Sequence, residues 1–375
     1  MSRKLKVALI FGGSSVEHEV SLTSARSVLA AIDPGRYEIV PVAITREGRW
    51  LSGPATLRML ESGKPSAPHG DPSALLADPS VQGLVPLAAD GRSAGGIATR
   101  VDVVLPIIHG RHGEDGSLQG LLEMAGLPYV GCGVLASALG MDKDACKRLL
   151  REAELPVVPY VCLRERAWER DWSVAAQLVA QGPGFPCFVK PANGGSSVGI
   201  VKVKQPQDLE AAVDEAGRYD HKVLVEKAVD AREIEVSVLG NEEPQASVAG
   251  EIEPANEFYD YDAKYLDDRS RLTIPAPISE EQARRARDLA VAAFRILGCE
   301  GMARVDFLLD RSDGALYLNE INTVPGFTPI SMYPKLWEAS GLPYPRLIDR
   351  LIELALERHR RNARLQTRYD GRRGA

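Results

Sequence analysis

Short apolar runs alternate with amphipathic stretches along the chain, and the rhythm changes twice. Residues 5–11 (LKVALIF) read as a buried strand that stops at the turn Gly12-Gly13-Ser14-Ser15. A helical pattern follows from Val16 to Ala31 and ends at Asp33-Pro34-Gly35, a strong stop signal. Ile39–Ile44 and Val101–Ile108 read as the second and third strands. Strands alternating with helices predict an open parallel α/β sheet. The interruption at 61–99, rich in Pro, Gly, Ala and Ser, reads as surface loops or a hairpin insertion.

After Gly131-Cys132-Gly133 a single helix is expected from about Leu135 to Ala153. The texture then shifts to short strands framing two helices: Val157–Cys162, a helix near 173–181, Pro186–Lys190, Gly199–Val203, a helix near 207–216, and Lys222–Lys227. That pattern suggests a small α+β domain. The remainder opens with the alternating strand Arg232–Leu239 and passes through a charged, tyrosine-rich loop at 256–272. It continues with an amphipathic helix (Glu280–Leu297), a strand pair (Ala303–Leu309 and Leu316–Ile321) and a last helix at about 345–360. The expected division is therefore 1–138, 139–230 and 231–360, followed by a basic, disordered tail at 361–375.

Length and composition fit this division. A chain of 375 residues suits two or three domains. With 45% hydrophobic and 26% charged residues it has the composition of a globular protein. A net charge of −6 argues against nucleic acid as a partner. No apolar run approaches the ~18 residues that would point to a membrane span. The opening MSRKLKVALIFGG runs into a glycine turn without a small-residue cleavage site, so it reads as a strand and not as a signal peptide. Five cysteines without C-x-x-C spacing suit free thiols in a reducing cytoplasm. The end RHRRNARLQTRYDGRRGA carries seven arginines and reads as a solvated terminus.

Several segments carry chemistry. In Phe188-Val-Lys-Pro-Ala-Asn-Gly-Gly-Ser-Ser-Val-Gly199 a strand delivers Lys190 to a small-residue loop. Backbone N–H groups and serine hydroxyls there could cradle phosphates, or the segment could be a flexible hairpin loop. In Ala303-Arg-Val-Asp-Phe-Leu-Leu-Asp310 alternate residues share a face, so Arg304 and Asp306 project together. Glu320 and Asn322 do the same on the next strand. Two carboxylates and an amide oxygen are hard ligands suited to Mg²⁺ beside nucleotide phosphates; cross-strand salt bridges are the alternative. The loop Thr323–Met332 could aim backbone N–H groups at an oxyanion. Glu17 lies at a strand end and helix start, where it could bind a ligand or cap the helix. His109, just after a strand, is as a lone histidine more often structural.

Together these segments resemble the D-alanine–D-alanine ligase family, from the first strand to about residue 355. The resemblance is carried by FGGSSVEHEVSL, LPIIHGRHGEDGSLQGLLE, the MDK of 141–143, FVKPANGGSSVG, VEKAV, EFYDYDAKY, ARVDFLL and LNEINTVPGFTPISM. It implies a three-domain ATP-grasp fold with an N-terminal open parallel α/β sheet, and nucleotide held between the central and C-terminal domains. It implies that Lys143 and Lys190 contact ATP phosphates, with Ser197 in the phosphate loop. Glu226, Lys227, Ala228 and Val229 would line the adenine site and Glu233 would bind the ribose. Phe258 and Lys264 would reach ATP from the mobile loop 256–272. Asp306, Glu320 and Asn322 would hold two magnesium ions, replaceable by manganese, and a monovalent cation such as potassium could be present.

For the substrates, two D-alanine molecules, the resemblance implies that Glu17 takes the first ammonium within a triad with Ser196 and Tyr265. Val20, Ser21 and His109 would border the first D-alanine, Ser331 and Met332 the second. Arg304 and the Gly326 N–H would stabilise the oxyanion. A cytoplasmic homodimer serving peptidoglycan precursor synthesis is implied as well. The alternatives are a D-alanine–D-lactate ligase or another ATP-grasp carboxylate–amine ligase, and, from another class, an inactive nucleotide-binding regulator. Tyr265 within FYDYDAKY favours the dipeptide, and no metal carboxylate or phosphate lysine is missing.

Overall fold

The computed structural model describes residues 3–62, 69–88, 92, 94, 99–253 and 271–366. Its first sheet has seven strands, in the order Thr99–Arg100, Gly83–Pro86, Asp71–Leu75, Trp50–Ser52, Tyr37–Ile44, Leu5–Gly12 and Val103–Ile107. Leu5–Gly12 is parallel to both its neighbours. It is apolar on both faces because both are covered: Val7, Leu9 and Phe11 enter one core, Ala8 and Ile10 another. The segment expected as loops or a hairpin insertion extends this sheet with short antiparallel strands. The sheet is thus parallel at one end, over Tyr37–Ile44, Leu5–Gly12 and Val103–Ile107, and antiparallel from there to the other.

The helix expected over 135–153 is two helices, Val134–Met141 and Lys143–Glu152. Asp142 breaks it by adopting an extended ψ of 98°. Its side chain caps the second helix by accepting the Ala145 N–H at 3.0 Å. The break makes Lys143 the first residue of a helix, with its backbone N–H donated to Ala192 O at 3.0 Å.

The second sheet is antiparallel, in the order Val201–Val203, Cys187–Pro191, Lys222–Lys227, Tyr160–Arg164. Helices Trp172–Gln181 and Leu209–Gly217 pack on one face through Val179, Leu209 and Val213, against Val189, Val223 and Val225. The two-residue period of a strand then turns Phe188, Lys190 and Glu226 to the other face, where they line a cleft.

The third sheet, also antiparallel, runs Arg271–Thr273, Gln245–Glu253, Ala231–Gly240, Gly301–Asp310, Leu316–Asn322. Helix Glu280–Ile296 covers one face with Ala286, Ala290, Ala293 and Phe294. It starts at a capping box in which Ser279 and Gln282 exchange hydrogen bonds of 3.0 and 3.2 Å. The opposite face carries the polar residues of the site. Helix Tyr344–Asn362 returns to the first sheet, where Leu347, Ile348 and Leu351 share a core with Val7, Leu9 and Phe11. The helix therefore runs two residues into the expected tail, and Arg361 pairs with Glu300 at 2.5 Å. Residues 367–375 of that tail lie outside the described residues.

Candidate active site

The site is built where the three sheets meet. Glu17 occupies the N-cap position of helix His18–Ala31, yet its side chain makes no capping bond. It accepts a hydrogen bond from Ser196 Oγ, 179 residues away. Its side chain is therefore not a capping group, while its place at the helix start keeps it beside the helix dipole. Close approach requires glycine on both sides: a Cβ at Gly195 would stand 2.8 Å from Glu17 Oε2, and one at Gly110 2.7 Å. Ser196 and Ser197 themselves sit at φ +50° and +59°, a left-handed conformation that non-glycine residues adopt at an energetic cost.

Lys143 ties the same loop to the third sheet. Its Nζ donates to Gly194 O at 2.7 Å and lies 3.4 Å from Glu320 Oε2. Arg304 forks onto Asp306 with two 2.7 Å hydrogen bonds and reaches Glu235 Oε2 at 3.0 Å. Burial alone would lower the Arg304 guanidinium, but Asp306 and Glu235 outweigh it and hold it well above the usual range. Asp306 faces both Glu235 and Glu320 in the strand register, and Arg304 faces Asn322. The expectation that these four side chains share one face is met, and the salt-bridge alternative is present alongside it.

Asp306, Glu320 and Asn322 offer only oxygen donors, which fits a hard divalent cation completed by phosphate oxygens. Among the described residues no group of three His, Cys, Asp or Glu residues is arranged to hold a metal unaided. Two carboxylates and one amide oxygen leave coordination positions open, which fits a cation completed by a bound ligand.

Lys190 contacts Glu226 Oε2 at 2.6 Å, and Lys147 contacts Oε1 at 3.2 Å. Burial would raise the Glu226 carboxyl, but Lys147 and Lys190 overcome it and keep it below its ordinary value. Burial pushes Lys190 down, with Glu226 pulling the other way and Lys147 and Lys143 adding to the drop. One carboxylate shared by two ammonium groups leaves excess positive charge at the cleft floor, which suits a polyphosphate.

Two cavities meet here. A chamber of about 170 Å³ is lined by Glu17, His109, Arg304, Gly326, Ser331 and Met332 among others. A cleft of about 960 Å³ is lined by Lys190, Ser197, Glu226, Lys227, Ala228, Val229, Glu233 and Asp306 among others. Lys143, Ser196, Arg304 and Glu320 border both. His109 is buried, with Nδ1 3.0 Å from Val324 O; burial pushes its imidazole below the usual range against the pull of Glu17. Ser331 Oγ accepts the Thr328 N–H at 3.0 Å.

Val20 and Ser21 are buried but are not part of the chamber lining. Ser21 Oγ instead joins Gly12 N–H, at 2.8 Å, to Ile107 O. Phe258, Lys264 and Tyr265 lie outside the described residues. Sequence reasoning missed Glu114, Lys147 and Glu235. Glu235 alone left a signal, since it alternates with Glu233 on a strand.

A nucleotide-sized cleft between two antiparallel sheets, floored by lysines and edged by hard oxygen ligands, defines an enzyme of the ATP-grasp class. The D-ala D-ala ligase N-terminus model matches residues 6–132 and the D-ala D-ala ligase C-terminus model residues 149–353. The chain belongs to the D-alanine–D-alanine ligase family. It is 50% identical to the D-alanine--D-alanine ligase of Heliobacterium modesticaldum over 97% of this chain and 98% of that one. With D-alanine--D-alanine ligase A of Chromobacterium violaceum the identity is 52%, over 95% and 96% of the two chains. The D-alanine-D-alanine ligase structure from Coxiella burnetii superposes with a TM-score of 0.81 at 37% identity, covering 96% of this chain and 97% of that one. The VanG D-Ala:D-Ser ligase of Enterococcus faecalis gives 0.80 at 36% identity, covering 94% and 100%.

Proposed function

We propose that this chain joins two D-alanine molecules into D-alanyl-D-alanine at the expense of ATP, for peptidoglycan precursor synthesis in the cytoplasm, acting as a homodimer. The observation that carries the reading is the shared border of the two cavities. An amino-acid-sized chamber opens onto a nucleotide-sized cleft, and Lys143, Arg304 and Glu320 stand between them.

The first D-alanine docks its ammonium on Glu17. One of its carboxylate oxygens attacks the γ-phosphorus of ATP, a C–O–P linkage forms, and ADP leaves. Lys143 and Lys190 steady the phosphates, and transfer depends on positioning and charge neutralisation. Asp306, Glu320 and Asn322 would hold two magnesium ions, or manganese, which neutralise phosphate oxygens when bound. Glu226 to Val229 and Glu233 take the adenosine, with Ser197, Phe258 and Lys264 closing over it and a potassium-like cation as a further aid. The second D-alanine, bordered by Ser331 and Met332, loses a proton and attacks the acyl carbon. Arg304 and the Gly326 N–H support the tetrahedral oxyanion. The C–O bond to phosphate then breaks, leaving the peptide bond and inorganic phosphate. The acyl phosphate needs protection from water, which the triad of Glu17, Ser196 and Tyr265 and the loop 256–272 supply in this reading. The three sequence segments 1–138, 139–230 and 231–360 contribute the first amino-acid site, the phosphate loop and the metal ligands.

The likeness to a D-Ala:D-Ser ligase supports a second reading, in which the acceptor is D-serine, and D-lactate is a further acceptor to test. Incubation with ATP, Mg²⁺ and each acceptor, with phosphate release and product mass measured, tests both. Dipeptide from D-alanine alone, formed in step with phosphate, is expected. Absence of ligation, or a product dominated by D-serine or D-lactate, would overturn the assignment.

A further inference from the structure

The loop after strand Val103–Ile107 carries a buried carboxylate that none of the roles above uses. Glu114 folds back on its own loop: its N–H donates to Gly110 O at 2.9 Å, and its Oε2 accepts the Gly110 N–H at 2.7 Å. The residue is 9% exposed, and its Oε1 is buried without a hydrogen bond. The side chain borders the small chamber together with Glu17, His109, Arg304 and Glu320.

The backbone is pared down to allow this. A Cβ at Gly113 would stand 2.3 Å from Ile108 O, and one at Gly110 would meet Glu17 Oε2. The two glycines thus let Glu17 and Glu114 both reach one chamber. Burial, and next the charge of Glu17, hold the Glu114 carboxyl well above its ordinary value; Arg304 pulls it down and Glu320 adds to the rise. A buried carboxylate oxygen lacking a donor is costly, and a ligand that brings N–H groups and positive charge relieves the cost. A metal ion is a poor candidate, because the pair lacks a third carboxylate, His or Cys ligand among the described residues. A primary ammonium carries three donors and fits two carboxylates.

We propose that Glu114 is the second carboxylate of the ammonium-binding corner, so that the first D-alanine's ammonium is shared between Glu17 and Glu114 Oε1. This rests on the D-alanine reading above and deepens it. Glu17 and Glu114 both border the small chamber, where Ser196 Oγ donates to Glu17 Oε1. A corner of this kind selects α-amino acids over their deaminated counterparts, because rejection is strongest where a site's buried polar groups would be left unpaired.

The test compares D-alanine with propionate, which is the same acid without its amino group. Initial rates at saturating ATP give two apparent KM values for D-alanine, the lower one reporting the first site, and propionate is run as a competitive inhibitor of that site. Glu114→Gln is expected to raise the first-site KM about tenfold or more. It should leave the ATP KM nearly unchanged and barely alter the propionate inhibition constant, so that discrimination collapses. An unchanged first-site KM, or equal weakening of D-alanine and propionate as a purely structural role would give, overturns the proposal. If the glutamine variant does not fold, Glu114→Ala decides on the same ratio. A parent protein that fails to ligate D-alanine refutes the functional reading itself. Parent turnover with an unaltered ratio in the variants refutes only the role of Glu114.

Discussion

Replacing Lys147 with Met isolates what the buried ion cluster contributes. Lys147 is 1% exposed and its Nζ stands 3.2 Å from Glu226 Oε1. At that separation and an effective dielectric constant of ~20, the gross attraction is about 5 kcal/mol. Desolvation of the ammonium offsets part of this, and Lys190 at 2.6 Å still neutralises the carboxylate left behind. A net loss of about 2 to 3 kcal/mol is expected, somewhat below that for orphaning a buried charge outright. Glu226 would then turn fully onto Lys190 and draw it from the cleft, raising the KM for ATP severalfold. The pH dependence has a definite sign. Glu226 is held below the ordinary carboxylate range, so its stabilisation is complete above about pH 4.3 and fades as pH falls through the lower folded value. The gap between parent and Lys147→Met should be full at neutral pH and close on the acid side. Thermal unfolding across pH, with ATP kinetics, measures both effects. An unchanged melting temperature together with an unchanged ATP KM would refute the reasoning.

Glu320→Gln removes a charge at the junction of the two cavities and should lower turnover by more than the roughly hundredfold typical of outer-shell metal changes, while far-ultraviolet circular dichroism stays unchanged. Near-normal ligation by the folded variant would discard the metal assignment. Gly195→Ala places a Cβ 2.8 Å from Glu17 Oε2 and should disturb the Glu17–Ser196 bond at about 1–3 kcal/mol of strain. Its signature is a raised first-site KM for D-alanine with little change in ATP KM, and parity with the parent would show that the close approach is not needed.

Local pattern carried most of the fold. Strand Lys222–Lys227 is found at its expected limits, and the face shared by Arg304 and Asp306 follows from strand periodicity alone. Strand Gln245–Glu253 escaped notice, although its burial comes from pairing with Ala231–Gly240 on one side and Arg271–Thr273 on the other. Helix Met332–Ala339 was hidden by its proline, which is tolerated in a first helical turn. The break at Asp142 depends on a capping bond and on Lys222, 80 residues away, whose Nζ donates to Asp142 Oδ1 at 2.7 Å. Lys147 and Glu114 were unreadable for the same reason. A lysine on an amphipathic helix and a glutamate in a loop look solvated until the chain folds around them. The motifs singled out Glu17 and Ser196, but only the fold brings Ser196 onto Glu17 across 179 residues.

The acyl phosphate is the central chemical claim, and an oxygen label follows it directly. D-alanine carrying ¹⁸O in both carboxylate positions is incubated with the protein, ATP and Mg²⁺, and the phosphate and nucleotide products are analysed by mass. Attack of the carboxylate on the γ-phosphorus, followed by C–O cleavage, sends one labelled oxygen into inorganic phosphate for each dipeptide formed and leaves ADP. Phosphate without label, or label recovered in AMP with release of pyrophosphate, would contradict it.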